Sequence, residues 1–233
     1  MRNVRPGLFL ATGLTVCLLL TACGESDSSN LLARRVEASL DVTAKVTYEM
    51  TLDLEGTGHA APVSSTITQG RWGKRWDSYA SRGNTAYYGT FLDLGDEEYA
   101  CFPYAGLEPE GLPEGQLEAS EDGACYAGET RFEINALVLA REFDFRPTYR
   151  EFLKETDELQ WKVLPSRTIA GISADCYQFT MTDPTDICFS GDDILLMVDV
   201  GGPNGSFTLL ALNVDRSVEE EDFALPYPVV EHP

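Results

Sequence analysis

The chain predicts an α+β domain built on a one-sided antiparallel sheet, with short helices covering the sheet's dry face. Three observations carry this. Residues 42–54 alternate apolar and polar without an exception. Strand-forming runs then follow one another across short turns rich in Gly, Asn and Pro, a meander rather than a βαβ alternation. One region, residues 132–158, has helical spacing instead. A strand with one dry face has to bury that face against something, and the helical region is the material at hand.

The chain opens with Arg2 and Arg5, an apolar run over residues 8–20, and Leu20-Thr21-Ala22-Cys23. A basic start, a short apolar stretch interrupted by Thr12, Gly13 and Thr15, and a small-residue end make an export signal, not a spanning helix. Leu-Thr-Ala-Cys resembles the lipobox of bacterial lipoproteins. The resemblance implies cleavage before Cys23 and lipidation of its thiol; the alternative is an ordinary signal peptide that ends near a cysteine. Residues 24–30 (GESDSSN) contain no apolar residue and suit a flexible tether. The expected division is a signal over 1–22, a polar tether over 23–30 and one domain over 31–233. That domain is expected outside the cell membrane, anchored to it by an N-terminal lipid.

Residues 31–40 place Leu32, Val36 and Leu40 at helical spacing, with Asn30 as a candidate N-cap. In residues 42–54, Val42, Ala44, Val46, Tyr48, Met50, Leu52 and Leu54 form the dry side and Thr43 to Asp53 the wet side. Residues 56–62 are turn-rich. Strands are expected over 63–72, 75–81, 85–92 and 97–102, with turns at Gly73-Lys74 and at Arg82-Gly83-Asn84. Residues 103–124 hold too much proline, glycine and acid for a regular element and read as a surface loop. Within 132–158, Ile134, Leu137 and Val138 make one stripe, and Tyr149, Phe152 and Leu153 a second beyond Pro147 at a first-turn position. Strands resume over 161–164, 167–170, 174–181, 186–190, 194–200 and 206–215. Ser217 to Phe223 reads as a capped final turn, with Glu220 three residues after Ser217, and residues 225–233 as an extended tail.

Six cysteines need sorting. Cys17 belongs to the signal and Cys23 is the lipid site, which leaves Cys101, Cys125, Cys176 and Cys188. An even number in an exported domain points to two disulfides, with three possible connectivities. The pairing Cys101–Cys125 and Cys176–Cys188 is favoured, because each pair brackets a loop or hairpin. Zinc is the rival, but there is no CxxC, and neither His59 nor His232 lies near a cysteine.

Charge excludes some functions. Asp and Glu number 38 against 17 Lys and Arg, a formal charge of −21; loss of Arg2 and Arg5 with the signal moves it to −23. Such a surface tells against nucleic acid and against adsorption to anionic headgroups, and suits a basic protein partner. A proteome-wide acidic bias would read the same. No HExxH, GxxxxGK, GxSxG or calcium-loop pattern occurs. Asp192-Asp193 reads as a solvated turn and residues 219–222 as a helix start, with adventitious calcium as the other reading. No catalytic residue, metal or cofactor is expected.

The order lipobox, tether, short helix, alternating strand, meander, helices and second strand run resembles the LolA-like superfamily of lipid and lipoprotein carriers, in particular LppX/LprG-type lipoproteins. The likeness is most specific at Arg167-Thr168-Ile169-Ala170-Gly171-Ile172-Ser173-Ala174-Asp175-Cys176-Tyr177, Cys188-Phe189-Ser190-Gly191-Asp192 and Ser217 to Pro226. It implies a curved antiparallel sheet forming an incomplete β-barrel, short helices over the open side, and between them an apolar cavity for a lipid or acyl-chain ligand. The counterparts of the cavity lining are Val46, Tyr48, Met50, Leu52, Trp72, Trp76 and Tyr88. Two cysteine pairs are not a general mark of that family. A protein-interaction or sensor module on the same scaffold is the alternative. The same pattern also fits a cavity filled by its own helices.

Overall fold

A computed structural model describes residues 28–54, 58–59, 63–82, 85–103, 123–127, 144, 146–155, 161–180, 183–202 and 205–230. The expected signal, Cys23, most of the acidic loop and the helical stripe over 134–138 lie outside the described residues.

The chain folds as an open antiparallel sheet with helices, the α+β incomplete barrel that the sequence predicts. Its strands are β1 Ala44–Leu54, β2 Gly58–His59, β3 Val63–Gly70, β4 Gly73–Arg82, β5 Thr85–Asp93, β6 Glu98–Phe102 and β7 Ala124–Ala127. There follow β8 Trp161–Ile169, β9 Ile172–Thr180, β10 Pro184–Ser190, β11 Leu195–Gly202, β12 Gly205–Asp215 and β13 Val229–Val230. Two helices are described, α1 Ser28–Ser39 and α2 Arg146–Glu155. The strand order is β13-β7-β6-β5-β4-β3-β1-β12-β11-β10-β9-β8, with β2 beside β1. Among the described strands, only β13 runs parallel to its neighbour, β7.

Strand β1 is the seam of this sheet. It pairs with β3 on one side and β12 on the other. One meander runs outward from it to β7; the second starts at the far edge in β8 and returns strand by strand to β12. The alternation of β1 therefore sets the two faces for both meanders. Val46 faces Ile67 and Val214, Tyr48 faces Ser65 and Ala211, and Met50 faces Val63 and Leu209. This side, here called the inner face, carries the main core.

The helices close part of that face. In α1, Leu32 and Val36 are fully buried one turn apart. The helix begins at Ser28, so Asn30 lies inside it rather than capping it. In α2, Pro147 occupies the first turn, Tyr149 is buried, and Phe152 and Leu153 pack on the core. The Tyr149 ring meets Phe179 of β9 edge-on at 5.7 Å. Each large side chain buried this way contributes roughly 1.5–3 kcal/mol.

Several local expectations shift. The β3–β4 hairpin turns at Arg71-Trp72, not at Gly73-Lys74. Gly73 opens β4 with φ 140°, and a Cβ there would sit 2.2 Å from the Asp93 carbonyl oxygen, so close approach of β5 is what demands glycine. Residues 161–164 and 167–170 are not two strands but one, β8, with an irregularity between Leu164 and Arg167 where Pro165 has no N–H to give. An edge strand absorbs that loss. Ala170 and Gly171 both have positive φ, 50° and 75°, the turn form whose twist matches a tight hairpin. The capping pair lies two residues beyond Ser217–Glu220: the Glu219 N–H donates to the Asp222 carboxylate at 3.0 Å.

Cys101 lies directly opposite Cys125 on β6 and β7, and Cys176 opposite Cys188 on β9 and β10. Each pair is disulfide-bonded, with Cα separations of 4.0 and 4.1 Å, and all four cysteines are fully buried.

Candidate functional site

The inner face around β1, β3 and β4 is the candidate site. Val46, Tyr48, Met50 and Trp76 come together there, each no more than 5% exposed. Ile67 links them, since it stands opposite Val46 on one side and Trp76 on the other. Phe91 of β5 extends the row, with its ring 5.4 Å from that of Trp76. Leu52 occupies a register position on this face, opposite Phe207.

Two expected lining residues do not belong to it. Tyr88 stands opposite Tyr79, on the other face of the sheet from Trp76, and is 52% exposed; the two tyrosine rings meet at 4.7 Å, tilted by 44°. Side chains alternate along a strand, so the register alone excludes it. Trp72 sits in the β3–β4 turn instead of a strand. Its ring packs near Phe223 at 6.0 Å and lies beneath the Arg71 guanidinium at 4.3 Å. With Leu94, Phe223, Ala224, Glu220 and Glu221 it lines an open groove of about 440 Å³ on the outside of the sheet.

The helix-covered end of the inner face is filled and most of its polar groups are satisfied, the exceptions among the described residues being Gln69 Oε1 and Arg35 Nε. The Tyr48 hydroxyl donates to the Leu195 carbonyl at 2.7 Å, and burial pushes its pKa well above the usual tyrosine value. Burial likewise pushes Tyr149 up to about 12. Arg146 and Asp144 form a buried two-pronged ion pair, at 2.5 and 2.7 Å, and Arg146 also donates to the Ser39 carbonyl at 2.7 Å. Burial works against the guanidinium charge, but the Asp144 carboxylate outweighs it and the pKa is raised. The Gln69 amide donates to the Leu40 carbonyl, tying the end of α1 to β3. What space remains among Ser39, Val42, Tyr48, Gln69 and Arg146 is about 10 Å³, room for about one water. No acyl chain fits there.

The other end differs. Ser65 and Ser78 are cross-strand partners on β3 and β4, and Trp76 lies two residues from Ser78 on the same face. All three are at least nine-tenths buried, yet the two hydroxyls and the indole N–H have no hydrogen-bond partner among the described residues. Sequence reading passed over these serines because they stand in the same alternating row as Val63 and Ile67. It also passed over Arg146 and Asp144. The signal was available only for the first pair: two serines at dry-face positions of adjacent strands.

Among the described residues there is no cluster of three or more metal-binding side chains, and no helix is long and apolar enough to cross a membrane.

No protein-family model matches the chain, and no curated protein matches it in sequence. Solved structures do resemble it in fold. MucB is 13% identical, with a TM-score of 0.49 over 87% of this chain. This chain spans only 64% of the MucB chain's length. LprF from Mycobacterium bovis is 11% identical, with a TM-score of 0.47 over 87% of this chain and 98% of its own. The Mycobacterium tuberculosis lipoprotein LppX is 11% identical, with a TM-score of 0.43 over 82% of this chain and 98% of its own. The likeness concerns the course of the chain and extends to no ligand.

Proposed function

We propose that the chain is an extracytoplasmic lipoprotein that carries a lipid or other apolar molecule on the inner face of its half-barrel, as a non-catalytic carrier or chaperone. The observation that supports this is an open sheet whose apolar inner row continues from Tyr48 and Met50 through Trp76 to Phe91. Any apolar chain laid along that row gains about 0.8 kcal/mol per buried CH₂. Diacylglycerol on Cys23 would supply two acyl chains, enough for stable anchoring, while the acidic surface holds the domain off the membrane.

The test is native mass spectrometry of the full chain carrying Cys23→Ala, which cannot be lipidated, purified from an exporting host and then extracted with organic solvent. A bound mass that releases as a lipid supports the carrier. A mass showing only the loss of four hydrogens for two disulfides counts against it.

A second reading has its own observation. The outer groove places Glu220 and Glu221 beside Trp72 and Phe223, and Arg71 already lies over the Trp72 ring. Such a groove suits a basic segment of a partner protein. Binding of a set of basic peptides, compared between the native chain and Trp72→Ala, tests it; equal binding by both removes the reading.

A further inference from the structure

We infer that Ser65 Oγ, Ser78 Oγ and Trp76 Nε1 form a binding site for the uncharged carbonyl of an acyl ester, so that the carried molecule is an ester lipid rather than a hydrocarbon or an ionised fatty acid. The inference rests on the apolar-ligand reading above and names the ligand's polar part.

Three facts support it. The residues are neighbours: Ser65 and Ser78 face each other across β3 and β4, and Trp76 precedes Ser78 by two on the same face. They are buried, at 5, 9 and 5% exposure. And they have no partner among the described residues, whereas the nearby Tyr48 hydroxyl has one in Leu195. A buried donor without an acceptor is costly, and proteins rarely leave several side by side. The indole N–H can only donate and the hydroxyls can rotate to do so, so the group they suit offers acceptor oxygens. A carbonyl oxygen accepts two hydrogen bonds, and the adjoining ester oxygen is within the same group.

The charge of the ligand group follows from what is missing. Of the cations on this face, Arg146 is buried and already held by Asp144 and Ser39, and Lys74 stands at the turn end of β4, opposite Gln69 and four residues from Ser78. Arg75 turns to Asp77 and to the carbonyls of Asp222 and Ala224. A carboxylate or phosphate at the serines would be buried without a countercharge, which neutral donors do not offset. An ester carries no such cost. Its acyl chain would lie on the row from Met50 to Phe91.

The experiment compares two probes that differ only in the carbonyl. Full-length Cys23→Ala protein is loaded with a fluorescent acyl probe, and the probe is displaced by 1,2-dioleoylglycerol or by its 1,2-dioleyl ether analogue. The ester is expected to displace at about tenfold lower concentration, the size of one good hydrogen bond in a dry site. Ser65→Ala/Ser78→Ala/Trp76→Phe should bring the two curves within about twofold by weakening the ester alone. Trp76→Phe shrinks a buried ring and should lower the melting temperature; Ser65→Ala/Ser78→Ala, which only removes donors that lack partners, should melt no lower than the parent and still show part of the same loss. Equal displacement by ester and ether in the parent overturns the site while leaving the carrier intact; the donors then serve a buried water. If neither compound binds and no lipid copurifies, site and carrier reading fall together.

Discussion

The two ends of the inner face are built from the same strands but finished differently. Under α1 and α2, most polar groups reaching into the core end on a partner: Tyr48 on Leu195, Arg146 on Asp144 and Ser39, and the Gln69 amide nitrogen on Leu40, although the Gln69 oxygen and Arg35 Nε have none among the described residues. On β3 and β4, Ser65, Ser78 and Trp76 end on nothing described. The first arrangement spends its hydrogen bonds on holding the fold. The second holds donors in reserve. The contrast separates structure from function better than burial does, since residues at both ends are buried to a similar degree.

If that division is right, changes at the closed end should unfold the protein and changes at the open end should not. The largest expected effect is at the ion pair. Arg146→Ala should cost about 3–5 kcal/mol, because it leaves the Asp144 carboxylate buried without a partner. Urea denaturation checks this, and Arg146→Met combined with Asp144→Leu should recover most of the loss. Next come the disulfides. Cys176→Ala/Cys188→Ala, which opens a loop of 12 residues' separation, should cost about 3 kcal/mol in the chain-entropy model, measured the same way under oxidising conditions. Tyr48→Phe should cost about 1–2 kcal/mol, since the Leu195 carbonyl loses its donor without a cavity being made. At the open end, Ser78→Ala should leave the melting temperature unchanged or slightly higher. A clear drop there would erase the distinction between the ends.

Acid provides the mildest test, at the rim. The Arg216 guanidinium and the Ser190 hydroxyl hold Asp192 well below the usual carboxylate range, and the Glu219 N–H and Lys45 lower Asp222. A carboxylate whose folded pKa is depressed stabilises the fold above its unfolded pKa and loses that contribution as pH falls through the folded one. Melting curves of the native chain and Asp192→Asn should therefore differ slightly at neutral pH and converge below about pH 4. Both carboxylates are near the surface, so the difference is small.

Much of the sheet was legible because its signals are local. Thirteen alternating residues at 42–54 define β1, and the turn composition from Arg82 onward predicts the hairpin of β4 and β5, in which Arg82 pairs with Thr85. The same register pairs Tyr79 with Tyr88 three residues further along, so the misplacement of Tyr88 among the lining residues was avoidable from sequence. Gly73 misled for the opposite reason: its φ of 140° serves the approach of Asp93, a contact between strands that local composition does not reveal. The helices gave spacing but not position. Tyr149, Phe152 and Leu153 predict an apolar stripe, yet nothing in that stripe says that it meets Phe179. Ser65 and Ser78 look unremarkable in a row because their meaning depends on what fails to reach them.

The seam at β1 sets the order in which the protein can be completed. Synthesis delivers β1 long before its partner β12, which ends at Asp215. Until Asp215 has emerged, one side of β1 is an unpaired edge, and the first meander cannot be joined to the second. Contacts so distant in sequence make for slow assembly, and an exposed strand edge meanwhile invites pairing with other chains. The hairpin holding Cys176 and Cys188 is local and can form on its own, so oxidation can lock the second meander before it docks. The dangerous interval lies between locking and docking, and shortening it should raise the yield of native protein more than any gain in native stability.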